Sequence, residues 1–163
     1  EVAISKEQMK KIDIKLIASS VVDDFNNIYM SKRGIKIILE TDDNSEKYEI
    51  MGIENRIEQI IANLLENSIS FSEDNKKIIV KLKKNKKNQV IIDVIDEGAG
   101  FKEKDTQKIF KRFYSNRPDK FGEHSGLGLN IVKNLIDLHS GVITASNNKD
   151  KKGAKVEIIF PKI

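Results

Sequence analysis

The chain has 163 residues, of which 39% are hydrophobic and 33% are charged, a balance that suits one globular domain rather than a disordered chain. It has no cysteine, which excludes disulfides, thiolate metal sites and thiol nucleophiles, and its apolar runs are too short to span a bilayer. The net charge is +4, but 25 of the 29 basic residues are lysine and only 6% of residues are aromatic, which argues against a nucleic-acid reader.

Two helices and two strands are predicted in the first half of the chain. Apolar residues spaced by three and four predict a helix over residues 14–30, which Gly34 ends as a left-handed cap. Strands are predicted at 35–39 and 48–51, followed by a second helix at 55–71. The residues expected on the apolar faces are Ile14, Ile17, Val21, Val22, Phe25 and Ile28 in the first helix and Ile57, Ile60, Ile61, Leu64, Leu65 and Ile69 in the second.

The second half begins with a predicted hairpin, 77–84 and 89–96, whose second strand is apolar on both faces and is therefore expected at the centre of a sheet. Glycines and dense charge over 97–125 predict a long loop with short helical pieces. A third helix is predicted at 126–139, ended by Gly141, and two last strands at 142–146 and 155–160. The residues expected to be buried in this helix are Ile131, Val132, Leu135, Ile136 and Leu138.

This order of elements predicts an α/β (α+β) two-layer sandwich. Three helices are expected to cover one face of a mostly antiparallel, mixed sheet of about five or more strands. No internal repeat or linker is apparent, so residues 1–163 are expected to form one domain. The chain begins at Glu1 without Met or a signal-peptide pattern, and we expect it to be a fragment of a longer protein.

Two asparagines four residues apart form the first candidate constellation. Asn63 and Asn67 lie on one face of the second predicted helix, beside its apolar stripe. Amides on a partly buried face need hydrogen-bond partners, and a carboxamide oxygen is also a suitable ligand for Mg²⁺. Taken alone, the pair is more typical of a cap or bridge to a neighbouring loop.

The second constellation is Asp96-Glu-Gly-Ala-Gly-Phe101, at the end of the predicted central strand. An aspartate there can accept a hydrogen bond from an exocyclic amine such as that of adenine. Gly98 and Gly100 have no Cβ and let the backbone approach a ring closely. The alternative interpretation is a tight turn between a strand and a helix.

Two further motifs follow in the loop and at the third helix. Gly126-Leu-Gly-Leu129 opens that helix, whose free N–H groups and positive dipole suit phosphate, and His124 and Ser125 just upstream could add donors. The alternative is an ordinary glycine-rich helix start. The aromatic cluster Phe110, Phe113 and Tyr114 has a spacing typical of core packing, or of a docking surface if exposed.

Together these motifs resemble, in order and spacing, the catalytic ATP-binding domain of bacterial two-component sensor histidine kinases, in the gyrase–histidine kinase ATPase superfamily. Asn63-Leu-Leu-Glu-Asn-Ser68 resembles the N box of that family, and Asp96–Phe101 its first glycine box. Ile109-Phe-Lys-Arg-Phe-Tyr114 resembles the F box, and Gly126-Leu-Gly-Leu-Asn-Ile-Val132 the second glycine box. The resemblance covers nearly the whole chain, from about Lys15 to Phe160.

The resemblance implies ATP and Mg²⁺ as cofactors and assigns a role to each motif. Asn67 would bind the Mg²⁺ that bridges the phosphates, and Asn63 would support the phosphate site, so both would be catalytic. Asp96 would read the adenine amino group in a pocket shaped by Gly98 and Gly100. Residues 115–125 would form an ATP lid. The remaining implied ATP contacts are Arg112, Arg117, Lys120, His124, Ser125, Gly126, Leu127, Gly128 and Leu129.

Three departures from the pattern bear on the reaction. Ser70 stands where many of these kinases have a lysine, so a phosphate contact is missing or supplied elsewhere. Asn63 stands where hydrolysing relatives such as gyrase have a glutamate that activates water, which favours transfer over hydrolysis, and Glu66 lies about 100° around the helix from Asn67. Neither His124 nor His139 has the sequence context of an acceptor histidine.

The implied function is transfer of the γ-phosphate of ATP to a histidine on a separate dimerisation and phosphoacceptor domain of the same parent protein. The implied partners are that domain and a downstream response regulator, and no nucleic acid. The parent is expected to be a homodimeric inner-membrane sensor, with this domain in the cytoplasm. The alternatives are an anti-sigma-type serine/threonine protein kinase and a non-catalytic ATP-binding interaction module.

Overall fold

The computed structural model describes residues 8–43, 46–101, 106–110, 127–148 and 152–163 of the chain. Its helices are α1 (Ile14–Arg33), α2 (Glu54–Ser70) and α3 (Leu127–Leu138), and a 3₁₀ helix spans Thr106–Phe110. Its strands are β1 (Lys10–Asp13), β2 (Lys36–Thr41), β3 (Glu49–Gly52), β4 (Lys77–Lys84), β5 (Val90–Ile95), β6 (Val142–Asn147) and β7 (Ala154–Phe160).

Five of these strands form one mixed sheet in the order β2-β4-β5-β7-β6. Within this sheet the β2–β4 pair is parallel, and the other three pairs are antiparallel. Strand β5 lies in the middle, and its residues from Val90 to Val94 are all buried. The mostly antiparallel sheet and its apolar central strand are therefore as predicted.

The helices α1, α2 and α3 share one hydrophobic core with the sheet. Helix α2 packs against α1, α3, β4 and β5, and α3 also contacts β6. The predicted apolar face of α2 is confirmed, because Ile57, Ile60, Ile61, Leu64, Leu65 and Ile69 are all buried. Burial of this face sets the rotation of α2, and with it the direction in which the polar residues of the helix point.

The end of α1 is held by a glycine cap and is joined to the end of α2. Gly34 has φ +66°, and its N–H donates to the carbonyl of Met30 at 2.9 Å, as the left-handed cap predicted. The guanidinium of Arg33 donates to the carbonyl oxygens of Ile69 at 2.9 Å and Ser72 at 2.6 Å. The carbonyl of Ile69 also accepts the N–H of Ser72 at 3.2 Å, so Arg33 adds a side-chain bond there and joins the end of α1 to the end of α2.

Two predictions about the strands and helix faces need correction. The predicted strand at 48–51 exists as β3, but it pairs with β1, a strand that was not predicted, in a separate two-stranded sheet. Ile28, Ile131 and Leu138 were expected on buried faces but are 45%, 38% and 38% exposed. Each lies at the border of its helix's apolar stripe, where the neighbouring elements do not reach far enough to cover it.

A side chain of α1 completes the hydrogen bonding of edge strand β2. The amide of Asn26 donates to the carbonyl of Ile37 at 2.9 Å and accepts from the N–H of Ile37 at 2.8 Å. Both backbone groups of Ile37 are thus paired on the side of β2 that faces away from β4.

The sheet face opposite the helices carries a buried carboxylate pair. Asp93 and Glu157 are direct cross-strand neighbours on β5 and β7, and the side chain of Asp93 is only 2% exposed. The ammonium groups of Lys83 and Lys155 lie 3.1 and 3.7 Å from Oδ2 of Asp93. Hydrogen bonding to Asp93, and then burial, raise the pKa of Glu157 above its usual value. Among the described residues, Oδ1 of Asp93 is buried without a hydrogen-bond donor.

Candidate functional site

The two candidate asparagines of α2 lie on one side of the helix, four residues apart, as the sequence predicted. Asn67 is buried at 9% exposure, and Asn63 is half-buried. The hydroxyl of Ser70 donates to the backbone carbonyl of Asn67 at 2.8 Å. This bond does not involve the side-chain amide of Asn67. Among the described residues, no hydrogen bond is made by the side-chain amide of Asn63 or Asn67. Buried amides without protein partners are suited to binding a ligand.

Asp96 follows β5 directly and is 1% exposed. Its Oδ1 accepts the N–H of Gly98 at 2.9 Å and the N–H of Ala154 at 3.1 Å. These two backbone donors, one from its own loop and one from β7, fix the rotamer of the carboxylate. The side chain is therefore oriented in advance, as a group that must recognise a ligand donor needs to be.

The end of β6 and the residue after it hydrogen-bond to the loop that follows Asp96. The amide of Asn147 accepts the N–H of Phe101 at 2.7 Å and donates to the carbonyl of Phe101 at 3.0 Å. Asn148 donates to the carbonyl of Asp96 at 3.2 Å. Gly100 has φ +82°, and a Cβ there would lie 2.6 Å from Oδ1 of Asn147. The close approach seen at Gly100 is therefore to this turn.

Sequence analysis missed Asn147 and Asn148, because asparagines in a polar segment between two predicted strands are typical of any hairpin turn. One signal was available: Asn147 directly follows the predicted strand 142–146, and the structure makes it the last residue of β6. A polar side chain at an edge-strand terminus has backbone groups within its reach.

The helix α3, which begins with the predicted second glycine box, contacts the 3₁₀ helix. Gly128 is exposed, and among the described residues no atom would lie within 4 Å of a Cβ placed there. Leu129 is buried, and Asn130 donates to the carbonyl of Phe110 at 3.3 Å. Phe110 is 4% exposed, so its aromatic ring packs in the core, the interpretation that its spacing favoured.

Packing brings these pieces together. Helix α2, which carries the asparagines, packs against both β5, which ends before Asp96, and α3, which carries Gly128. The 3₁₀ helix contacts α3 and β6. The candidate residues outside the described ranges are Arg112, Arg117, Lys120, His124, Ser125 and Gly126, together with the predicted lid at 115–125. Leu127 is the first residue of α3.

The side-chain amide oxygen of Asn67 is a type of ligand that Mg²⁺ accepts. Within the described ranges, no three histidine, cysteine, aspartate or glutamate side chains cluster closely enough to hold a metal. Mg²⁺ takes few protein ligands and completes its shell with water and substrate phosphates. The uninvolved amide oxygen of Asn67 suits that mode of binding.

His139 lies away from these motifs, at the end of α3, and is 4% exposed. Its Nε2 accepts the N–H of Ile53 at 3.1 Å, and its Nδ1 lies 2.8 Å from the carbonyl of Leu135. The N–H donor at Nε2 makes that nitrogen the acceptor, so Nδ1 carries the proton and donates. With both ring nitrogens engaged inside the protein, His139 has a structural role.

Among the helices of the described residues, none combines the length and the apolarity that crossing a membrane requires. Residues 52–163 match the family described as "Histidine kinase-, DNA gyrase B-, and HSP90-like ATPase". The chain is 35% identical over 156 residues to the sensor protein ChvG of Rhizobium meliloti, a match that covers 92% of this chain and 27% of ChvG. The chain thus spans about a quarter of the length of this curated relative.

Solved structures have the same fold. The catalytic domain of the histidine kinase ThkA superposes with a TM-score of 0.79 at 25% identity, over 96% of this chain and 98% of that domain. A structure of ThkA in complex with the response regulator protein TrrA superposes with a TM-score of 0.78 at 24% identity, over 99% of this chain and 45% of the ThkA chain.

Proposed function

Because the chain belongs to the family of histidine kinase-, DNA gyrase B- and HSP90-like ATPases, we propose that it is the ATP-binding catalytic domain of a sensor histidine kinase. It binds ATP with Mg²⁺ and donates the γ-phosphate to a histidine on a separate dimerisation and phosphoacceptor domain of its parent protein. The observation that carries this proposal is the buried carboxylate of Asp96, held by the N–H groups of Gly98 and Ala154 at the end of β5.

Asp96 supplies the adenine recognition in this proposal. Its carboxylate accepts a hydrogen bond from the exocyclic amino group of adenine, a charge-assisted bond in a site away from bulk water. Guanine has a carbonyl oxygen at the corresponding ring position, which would face the carboxylate with a second acceptor. The site therefore selects ATP over GTP.

Asn67 supplies the metal ligand, and Asn63, one turn earlier on α2, faces the phosphates. When bound, Mg²⁺ neutralises the charge on the phosphates during phosphoryl transfer. The amide of Asn67 is uncharged, so it coordinates without adding a negative charge beside the triphosphate. The exposed face of Gly128 at the start of α3 leaves room for the phosphates to approach the N–H groups of that helix.

Transfer rather than hydrolysis follows from the side chain at position 63. An amide has no basic lone pair at neutral pH and cannot take a proton from an attacking water. Glu66 is exposed, on a different side of α2 from Asn67, and is badly placed to replace such a base. The nucleophile must then come from another domain, with this domain positioning the donor.

Three partner proposals depend on the same assignment. The phosphoacceptor histidine belongs to another domain of the parent protein, since neither histidine of this chain has the acceptor context. A response regulator takes the phosphate onward, as the ThkA complex with TrrA suggests. The parent is a homodimeric inner-membrane sensor, and residues 1–163 form one ATP-binding domain of it on the cytoplasmic side.

The test uses this chain, the acceptor domain of the same parent protein and radiolabelled ATP with Mg²⁺. The proposal predicts label on the acceptor that is lost in acid, because phosphohistidine is acid-labile. Acid-stable label on the acceptor would favour a serine/threonine kinase, and label on this chain alone would refute the assignment. Binding of ATP without any transfer would identify a non-catalytic nucleotide-binding module.

A further inference from the structure

Asn147, the last residue of β6, and Asn148, which follows it, hydrogen-bond to the two ends of the loop 96–101. Asn147 makes two hydrogen bonds to the backbone of Phe101, at 2.7 and 3.0 Å. Asn148 holds the carbonyl of Asp96 at 3.2 Å, and its own N–H donates to the carbonyl of Gly153 at 3.0 Å. The loop is therefore fixed at its first and last residues by a hairpin that belongs to a different part of the chain.

The bonds between Asn147 and Phe101 resemble one step of a β-ladder. A side-chain amide has the same donor and acceptor as a peptide group, so Asn147 pairs with the N–H and the carbonyl of one residue, as a neighbouring strand would. Two bonds to one residue fix both its position and its orientation. Phe101 itself is 6% exposed, so its ring anchors the same point in the core.

Two glycines allow the backbone of the hairpin and the backbone of the loop to approach closely. A Cβ at Gly100 would lie 2.6 Å from Oδ1 of Asn147, and a Cβ at Gly153 would lie 2.0 Å from the carbonyl oxygen of Asp96. Both glycines have φ in the left-handed region, at +82° and +136°. The hairpin and the loop are thus in backbone contact, and small residues on each side allow it.

We propose that Asn147 is a positioning residue for nucleotide binding. It holds the loop 96–101 so that the carboxylate of Asp96 is already oriented for adenine in the free protein. This rests on the proposed function, in which Asp96 reads adenine. Asn147 does not touch the nucleotide and acts through Phe101 and the loop. Pre-organisation of the loop removes an ordering cost that binding would otherwise carry.

The test compares Asn147→Ala, which removes both bonds, with Asn147→Ser, whose hydroxyl retains one donor and one acceptor. Ser146→Ala is the matched control, since Ser146 is the exposed neighbour on β6. Calorimetry measures the affinity for Mg·ADP and for Mg·tripolyphosphate, which lacks adenine. Hydrogen exchange of the Phe101 N–H is followed in the free protein, and urea unfolding measures global stability.

Asn147→Ala is expected to weaken Mg·ADP about tenfold, to leave Mg·tripolyphosphate within about twofold, and to speed exchange at Phe101. Asn147→Ser is expected to recover part of the affinity, and Ser146→Ala to match the wild type. Unchanged ADP affinity would overturn the proposal, as would an equal loss for both ligands, which indicates a purely structural role.

The two proposals fail differently. If the wild-type chain bound no ADP, the proposed function would be refuted, and with it the positioning role. Faster exchange of Phe101 in Asn147→Ala would then show only that the hairpin holds the loop. If the wild type binds ADP and Asn147→Ala binds it equally well, the proposed function stands and the positioning role is wrong.

Discussion

His139 at the end of α3 accepts a hydrogen bond from the N–H of Ile53 at the beginning of α2, across 86 residues of sequence. Ile53 is the N-cap residue of α2 and has no side-chain cap of its own, so the imidazole provides the polar contact at this helix start. The bond joins two helices that both carry predicted nucleotide contacts, Asn63 and Asn67 on α2 and Gly128 on α3. The bond therefore adds a polar contact to the apolar packing between those two helices.

Replacement of His139 by leucine is expected to lower the free energy of unfolding. The N–H of Ile53 would be left buried without an acceptor, at a cost of about 1–3 kcal/mol. The carbonyl of Leu135 keeps the backbone N–H of residue 139 as a partner and adds little to the loss. Urea unfolding measures the change, with Leu138→Gln as the exposed neighbouring control. Unchanged stability in His139→Leu would contradict the structural role.

Asp96→Asn tests adenine recognition. Oδ1 of the new amide can still accept from Gly98 and Ala154, but its NH₂ group then faces the adenine amino group with a donor. Loss of the charge-assisted bond is expected to weaken ADP by roughly 1.5–3 kcal/mol, measured by calorimetry. Glu97→Gln, whose amide oxygen can still accept the N–H of Lys77, is the control and should bind normally. Equal affinity in both variants would remove Asp96 from the site.

Asn67→Ala is expected to abolish phosphoryl transfer to the acceptor domain, because it removes a protein ligand of the metal. The folded state loses little, since the side-chain amide of Asn67 has no hydrogen bond within the described residues. Asn55→Ala makes the same substitution at an exposed position of α2 and is expected to retain transfer. The measurement is the rate of phosphoryl transfer from radiolabelled ATP to the acceptor domain. Transfer by Asn67→Ala at the control rate would refute the metal-ligand role.

Asp93 and Glu157 on the open sheet face lead to a prediction about how the free energy of unfolding depends on pH. The pKa of Glu157 is raised in the folded state, so the folded protein binds more protons than the unfolded chain between the unfolded and the raised pKa. Its contribution to stability is present below the unfolded pKa and is lost as pH rises through the raised value. The amide introduced by Glu157→Gln can donate to Oδ1 of Asp93 at every pH, so this variant is expected to be more stable than the wild type near neutral pH.

The measurement for Glu157→Gln is urea unfolding at several pH values from about 4.5 to 7. The stability advantage of the variant is expected to grow as pH rises through this range. Glu40→Gln, at an exposed position of edge strand β2, serves as the control and should show no such trend. A constant difference between Glu157→Gln and the wild type would mean that protonation of Glu157 does not stabilise the folded protein.

The sequence predicted those parts of the fold in which a buried face repeats regularly. The stripe of α2 and the apolar run of β5 are both long enough to show their period, and both are confirmed. Strand β1 was missed because Lys10–Asp13 is a short segment of mixed polarity, and its pairing with β3 depends on how α1 and α2 are arranged. Local pattern contains no information about that arrangement.

Exposure at the margins of the helices was harder to predict for a related reason. Ile131 and Leu138 have the spacing of a buried face, yet the width of the covered stripe depends on neighbours that the sequence does not specify. At the site, Asp96 was identified from its place after an apolar strand. Ala154 bonds to its carboxylate and Asn148 to its backbone carbonyl. These partners are 58 and 52 residues away and become neighbours only through the pairing of β5 with β7.

The contact between Asn26 and Ile37 has a consequence for how copies of this protein meet in concentrated solution. An edge strand usually offers its free peptide groups to the edge of another molecule, a common beginning of aggregation. At the second residue of β2 those groups are already occupied by a side chain of the same molecule. A strand from a second copy would have to displace Asn26 before it could pair with Ile37, so Asn26→Leu is expected to increase self-association through this edge.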